Sequence, residues 1–335
     1  MATAESPAGR LPGGSFQDFE HAGGIHLSES ILWCDANRRS GLNFLSSANA
    51  GEIGKHRRFL CTEATSVLAA RGKGKLDVLV APYGKIFKVG ELELQLEPSG
   101  HMLGGAQLVI RREGRVVVYA GDLSVRPSAT AVTGAPVPCD VLAVPATYAG
   151  RGLRFPPRAE VLESLRTFVT ATLENRQNPL LLASPLDVGP ELAVVLGRAG
   201  FKLKVHRQIV DILKTYAQLG VHAPTIKRLG KTVVRGDVLI APPILRTQLE
   251  TLGDLRTAIV GPRAVDAAYV HQARVAHAFP LSNVADGVEL REFVLATGAS
   301  EVFLTGGATG DFGATLRADG LIVRDLRPRE QLELF

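Results

Sequence analysis

Residues 91–122 read ELELQLEPSGHMLGGAQLVIRREGRVVVYAGD. Leu92, Leu94 and Leu96 alternate with polar residues, the period of a strand that buries one face. Two branched apolar runs, AQLVI and RVVVYA, follow, and the RREG between them has the composition of a hairpin turn. This stretch therefore predicts antiparallel strands. Working outward, similar short runs separated by Gly, Asn and Asp recur in GIHLSESILWCDA (24–36), GLNFLSSA (41–48), RRFLCTEAT (57–65), LDVLVAPYG (76–84) and CDVLAVPATY (139–148). The first half is expected to be a largely antiparallel β structure.

The period changes from about residue 156. Val161, Leu162, Leu165, Phe168, Val169 and Leu173 recur at helical spacing, and the strand-like PLLLASP follows. Leu192, Val195, Leu196 and Ala199 mark a second helix, FKLKVH a strand, and Ile209, Ile212, Leu213 and Tyr216 a third helix. Such alternation signals a parallel sheet covered by helices. After DVLIAPP and RTAIVGP come a helix around Leu290, Phe293 and Val294, the strand EVFLTGG, another helix and the strand LIVRDL. The reading is an α/β fold in four parts: a flexible leader at 1–22, a β-rich body at 23–150, an α/β insertion at 151–275, and a C-terminal piece at 276–335 that rejoins the body.

Composition narrows the classes. Hydrophobic residues make up 46% of the 335 and charged residues 21%, which excludes a disordered chain, and no apolar run is long enough to span a bilayer. The opening residues lack the basic start and apolar stretch of a secretory signal, so a cytoplasmic protein without a membrane partner is expected. Cys34, Cys61 and Cys139 offer neither a disulfide framework nor a Cys-based zinc site. A net charge of +5 permits a polyanionic partner without requiring one.

Three turn-rich segments follow strands: 46–56, 97–107 and 119–124. In the second, His101 is flanked by Gly100, Gly104 and Gly105, which leave room for a ligand or metal to approach. In the third, Asp122 follows VVVYAG, a position from which a carboxylate can coordinate a cation. Hydrogen-bonded turn histidines and capping aspartates are the commoner uses of both. Ser46 and Ser47 lie near Asn49 and His56, but neighbourhood in sequence does not make a nucleophile and its base.

The order of these segments resembles a known family. WCDANRRSGLNFLSSANAGEIGKHRRFLCTEAT, EPSGHMLGGAQLVI, VVVYAGDLSVRP, LAVPATYAG, FPLSNVADGVELREFV and EVFLTGG look like the successive motifs of the metallo-β-lactamase superfamily, and of its β-CASP branch of nucleic-acid-processing nucleases. That branch includes RNA 3′-end-processing and DNA-repair enzymes. The resemblance covers about residues 23–335 and implies a metallo-β-lactamase αβ/βα sandwich, a dinuclear zinc site at the sheet edge, and an inserted α/β β-CASP-like domain.

The departures bear on function. Where the family has His-x-His-x-Asp-His, this chain has Ser47, Asn49, Gly51 and Glu52, of which only Glu52 is a metal-ligand type. His101 and Asp122 match the next two motifs. Pro145 stands where an acidic residue is implied, Val284 and Gly306 where histidines are implied, and Asp286 is retained. Glu52, His101 and Asp122 could hold at most one weak divalent ion, so no zinc cofactor is expected. Whether the chain is an enzyme stays open. Arg38, Arg39, Lys55, Arg57 and Arg58 flank the altered loop and are candidate phosphate contacts, with further basic residues in KLKVHR and IKRLGK. The expectation is a catalytically degenerate exonuclease-like protein that binds single-stranded RNA or DNA, or pairs with an active β-CASP relative or other processing protein. The alternatives are an active nuclease with a rebuilt site, and a structural or small-molecule-binding module.

Overall fold

Leu94, Leu96, Leu108 and Ile110 are fully buried and share one apolar layer with Leu27, Leu32, Phe44 and Leu60. The two groups come from different sheets. The protein is seen here as a computed structural model that describes residues 18–21, 23–37, 40–50, 58–71, 76–224, 226–307 and 309–326.

The first sheet holds β1 (Phe19–His21), β2 (Ile25–Leu27), β3 (Leu32–Cys34), β4 (Leu42–Phe44) and β5 (Arg58–Cys61), then, after helix α1 (Glu63–Ala69), β6 (Val78–Val80). Strands β1 to β3 alternate in direction, but β3 to β6 run parallel. This corrects the expected antiparallel pattern: residue alternation reports which face is buried, not strand direction, and α1 supplies the crossover from β5 to β6. Strand β1 also lies inside the segment read as a leader. Phe19 is fully buried, with its ring edge-on to Phe303 at 5.7 Å, and this packing anchors a strand too short to announce itself.

The second sheet begins with β7 (Phe87–Val89), β8 (Leu92–Pro98), β9 (Ala106–Arg112) and β10 (Arg115–Tyr119), an antiparallel run that follows the alternation read from the sequence. Strand β11 (Val141–Ala146) then adds parallel to β10.

The chain next builds a separate sheet from α2 (Arg158–Glu174), β12 (Asn178–Leu182), α3 (Val188–Arg198), β13 (Lys202–Val205), α4 (Arg207–Gln218), β14 (Lys227–Arg228), β15 (Asp237–Ala241), α5 (Arg246–Leu249), β16 (Leu255–Val260), α6 (Ala267–Gln272) and β17 (His277–Phe279). Its strands are all parallel, in the order β14-β13-β15-β12-β16-β17. Apolar residues of α2, α3 and α4 cover one face, and those of α5 and α6 the other. Strand β17 belongs to this sheet, which therefore extends to Phe279, past the expected boundary at 275.

Helix α7 (Gly287–Thr297), β18 (Glu301–Gly307), α8 (Thr309–Ala318) and β19 (Ile322–Asp325) return to the second sheet, with β18 beside β11 and β19 at the edge. Leu290 and Phe293 of α7 and Phe312 and Leu316 of α8 pack on its outer face. On the outer face of the first sheet, Leu68 of α1 packs with Phe59 and with Ile212 and Tyr216 of α4, so the insertion docks on the body there. The result is a mixed α/β protein with two facing sheets, helices outside them, and a third, parallel sheet. Among the described residues no helix is long and apolar enough to cross a membrane.

Candidate functional site

The turn after β4 is held by a carboxylate that the sequence reading did not single out. Asp35, just past β3, accepts from the Ser46 amide at 2.8 Å, the Ser46 hydroxyl at 2.6 Å and the Tyr119 hydroxyl at 2.9 Å. Three donors converge on one half-buried acid. Burial nevertheless pushes its carboxyl up to about 6; the Ser46 and Tyr119 hydrogen bonds pull the other way, and the nearby charge of Asp122 adds to the rise. Burial first, and then the charge of Asp35 beside them, hold the Cys34 thiol and the Tyr119 hydroxyl well above their ordinary values. The only signal in the sequence was an Asp after a short strand, which a turn residue also gives.

Asp35 and Tyr119 line a cavity of about 450 Å³ together with Thr305, Gly306 and Gly307 at the end of β18. The structure thus brings Gly306 close to the Asp35 site. Strand β18 bulges here, since Pro145 pairs with Thr305 but Ala146 pairs with Gly307. Gly306 and Gly307 both have positive φ, and a side chain on Gly307 would meet the Ala146 oxygen at 2.4 Å. The glycines serve this bulge.

His101 lies deeper. It is 3% exposed, and its Nδ1 is 2.9 Å from the Asn283 main-chain oxygen. Its Nε2 is buried with no hydrogen-bond partner. A bridge between Gly100 and Leu123 sets the His101 turn beside the Asp122 turn. Val284 follows Asn283 in a turn closed by the Ser282 hydroxyl. Asp286 is committed to structure: it caps α7 through the Val288 and Glu289 amides at 2.9 and 3.0 Å and also accepts from the Phe155 amide at 2.9 Å. Ser47 is buried and its hydroxyl accepts weakly from the Asn49 amide at 3.4 Å, while the Asn49 side chain is exposed.

Gly51 and Glu52 lie outside the described residues, as do Arg38, Arg39, Lys55 and Arg57. Arg58 is exposed on β5, with its Nε 3.0 Å from Asp77. Such a surface pair contributes little and leaves the guanidinium open to a competing anion. In the insertion, exposed Arg207 and Arg228 stand near His206, whose imidazole is held below its ordinary value by partial burial and then by their charges, and Lys227 is exposed beside Arg228 on β14.

The residues at the positions of the implied zinc ligands do not fit a dinuclear centre. Ser47, Val284 and Gly306 offer no imidazole or carboxylate, leaving His101 and Asp122 as the donors of suitable type among the described residues. No group of three His, Cys, Asp or Glu side chains there converges as a metal site.

No family model matches the chain. It is 29% identical over 322 residues to a probable DNA ligase of Opitutus terrae, covering 95% of this chain and 32% of that protein. It is also 29% identical over 122 residues to a ribonuclease of Thermus thermophilus, covering 36% of this chain and 28% of that protein. The chain thus spans about a third or less of the length of the curated relatives it matches.

Proposed function

We propose that this chain is a metallo-β-lactamase-fold protein of the β-CASP type whose hydrolytic centre has decayed, and that it serves nucleic-acid processing by binding single strands or by accompanying an active enzyme. The reading rests on one observation above all. His101 keeps a free buried Nε2, yet the turn that fastens it carries Val284 where a second imidazole is implied, and Gly306 sits in a bulge that favours glycine. Two facing sheets flanked by helices, with a helix-covered parallel sheet inserted, suit the fold assignment. Similarity to proteins named a DNA ligase and a ribonuclease supports a nucleic-acid role, and the extent of the ligase match favours DNA.

The basic residues supply the contact chemistry. Arg38, Arg39, Lys55, Arg57 and Arg58 in the body and Arg207, Lys227 and Arg228 in the insertion bind phosphates without reading bases. A single-stranded oligonucleotide should therefore bind with little sequence preference and lose affinity as salt rises. Neutralising about four phosphates gives a slope near three in log K against log salt by fluorescence anisotropy. Replacing Arg38, Arg39, Arg57 and Arg58 together should flatten that slope; no binding at low salt defeats the nucleic-acid role.

A second reading, an active phosphodiesterase with a rebuilt site at Glu52, His101 and Asp122, is favoured by the unpartnered Nε2 of His101. Elemental analysis and nuclease assays with added Mn²⁺ separate the two. Two zinc ions per chain, or turnover lost on His101→Ala and Asp122→Ala, would establish the second reading and end the first.

A further inference from the structure

Residues 202–235 carry eight Lys or Arg and one acid, Asp211, a net charge of +7, against +5 for the whole chain. The rest of the chain is therefore net negative. The stretch runs from β13 through α4 and β14, and β14 is the outermost strand of the inserted sheet. Lys204 lies in register with Lys227, so two cations stand side by side on neighbouring strands, an arrangement that destabilises a sheet. Lys204 is half-buried with its Nζ 3.8 Å from Asp237, and Lys214 lies 3.2 Å from Asp211. The other six, Lys202, Arg207, Lys227, Arg228, Lys231 and Arg235, are exposed and, among the described residues, pair with no carboxylate. Their field reaches both titratable neighbours. Arg228 helps to hold the His206 imidazole down, after burial and Arg207, and the Asp211 carboxyl down, after the hydrogen bond from Lys214.

Lysine on an edge strand commonly guards it against pairing with another chain. Here the charge extends past the edge, since Arg207 opens α4, whose first turn holds no acid, and Lys231 and Arg235 follow β14. We infer that this edge of the insertion grips the phosphate backbone of a nucleic-acid duplex. The phosphates supply the counter-charge that the free protein lacks. Phe201 packs on the core of the insertion and Tyr216 is fully buried, so neither offers a face on which a single-stranded base could stack. Charge density then decides between the two forms: a duplex presents one charge per about 1.7 Å of its axis, twice that of a single strand. The inference rests on the nucleic-acid role proposed above and adds the form of the ligand and the edge that holds it.

Fluorescence anisotropy of the full chain with a short DNA duplex of mixed sequence, and with either of its strands alone, tests the inference. The duplex should bind more tightly than the strand. With about four phosphates neutralised, its affinity should fall about hundredfold between roughly 50 and 200 mM salt. Lys227→Gln with Arg228→Gln should weaken the duplex about tenfold and lower the slope of log K against log salt by about two. Lys85→Gln with Lys88→Gln removes the same charge from exposed positions of the body and should leave the slope unchanged. All four side chains are exposed, so melting temperatures should hold. An unmoved slope in the edge variant, an equal drop in the body variant, or duplex binding no tighter than strand binding overturns the inference. Polyglutamate that displaces the duplex at equal charge concentration also overturns it and gives the edge to an acidic protein. If the strand binds and the duplex does not, this inference fails and the nucleic-acid role stands; if neither binds at low salt, that role fails as well.

Discussion

His101 Nδ1 and the main-chain oxygen of Asn283 lie 2.9 Å apart, although the residues are 182 positions apart in sequence. A carbonyl only accepts, so Nδ1 carries a proton and donates it here. The Asn283 side chain meanwhile accepts from Arg158 at 3.2 Å, so one residue fastens both the His101 turn and the first helix of the insertion. His101→Ala strands a buried carbonyl and opens a void, and should cost about 1–3 kcal/mol for the hydrogen bond alone. Urea unfolding with and without EDTA checks this. A loss that vanishes in EDTA would make His101 a metal ligand before anything else.

Asp35 should leave a mark on the pH dependence of stability. Its carboxyl stands at about 6 in the folded chain, against 3.8 ordinarily, chiefly through burial. The folded chain therefore holds this proton across a range in which the unfolded chain has released it. The contribution is fully present below the unfolded value and is lost as pH rises through the folded one, so stability falls between about pH 4 and 6, by about 3 kcal/mol for a rise of this size. Asp35→Asn should remove that decline, and Asp122→Asn should end it at lower pH by lifting one repulsion. Unfolding midpoints from pH 4 to 7 decide; a wild type that tracks Asp35→Asn throughout sinks the assignment.

Why some of this was legible and some was not follows from the range of each interaction. Alternation at Leu92, Leu94 and Leu96 and helical spacing at Val161 to Leu173 are local patterns, and both elements formed where they were read. The parallel course of β3 to β6 depends on crossovers, and β1 depends on Phe19 meeting Phe303, contacts that no window of sequence contains. The site divides in the same way. His101 and Asp122 stood out because glycine-rich turns are local. Asp35 needed Tyr119, a partner 84 residues away.

The pairing of Arg158 with Glu191 should behave as a buried ion pair. Their side chains are 10% and 1% exposed. Arg158→Met leaves the Glu191 charge uncompensated and should cost about 3–5 kcal/mol. Adding Glu191→Leu removes that charge and should restore part of the loss, though the Ser128 hydroxyl and Ala129 amide then lose their acceptor. A double-mutant cycle in urea measures the coupling. Additive losses would mean that the two side chains do not sense each other.

Gly121, between β10 and Asp122, couples backbone shape to the Asp35 site. Its φ is +57°, and a Cβ there would lie 2.4 Å from the Ser46 Cβ and 2.6 Å from its hydroxyl oxygen. Gly121→Ala therefore meets two separate penalties. The left-handed conformation costs a non-glycine residue about 1–2 kcal/mol, and the collision displaces the hydroxyl that Ser46 gives to Asp35. Adding Ser46→Gly removes the collision but not the backbone strain, so the double variant should regain part of the stability and stop about 1–2 kcal/mol or more short of wild type. Thermal and urea unfolding of the three variants provide the comparison. If Gly121→Ala unfolds like wild type, the turn is not held against Ser46; if Ser46→Gly fails to improve it, the strain lies in the backbone alone.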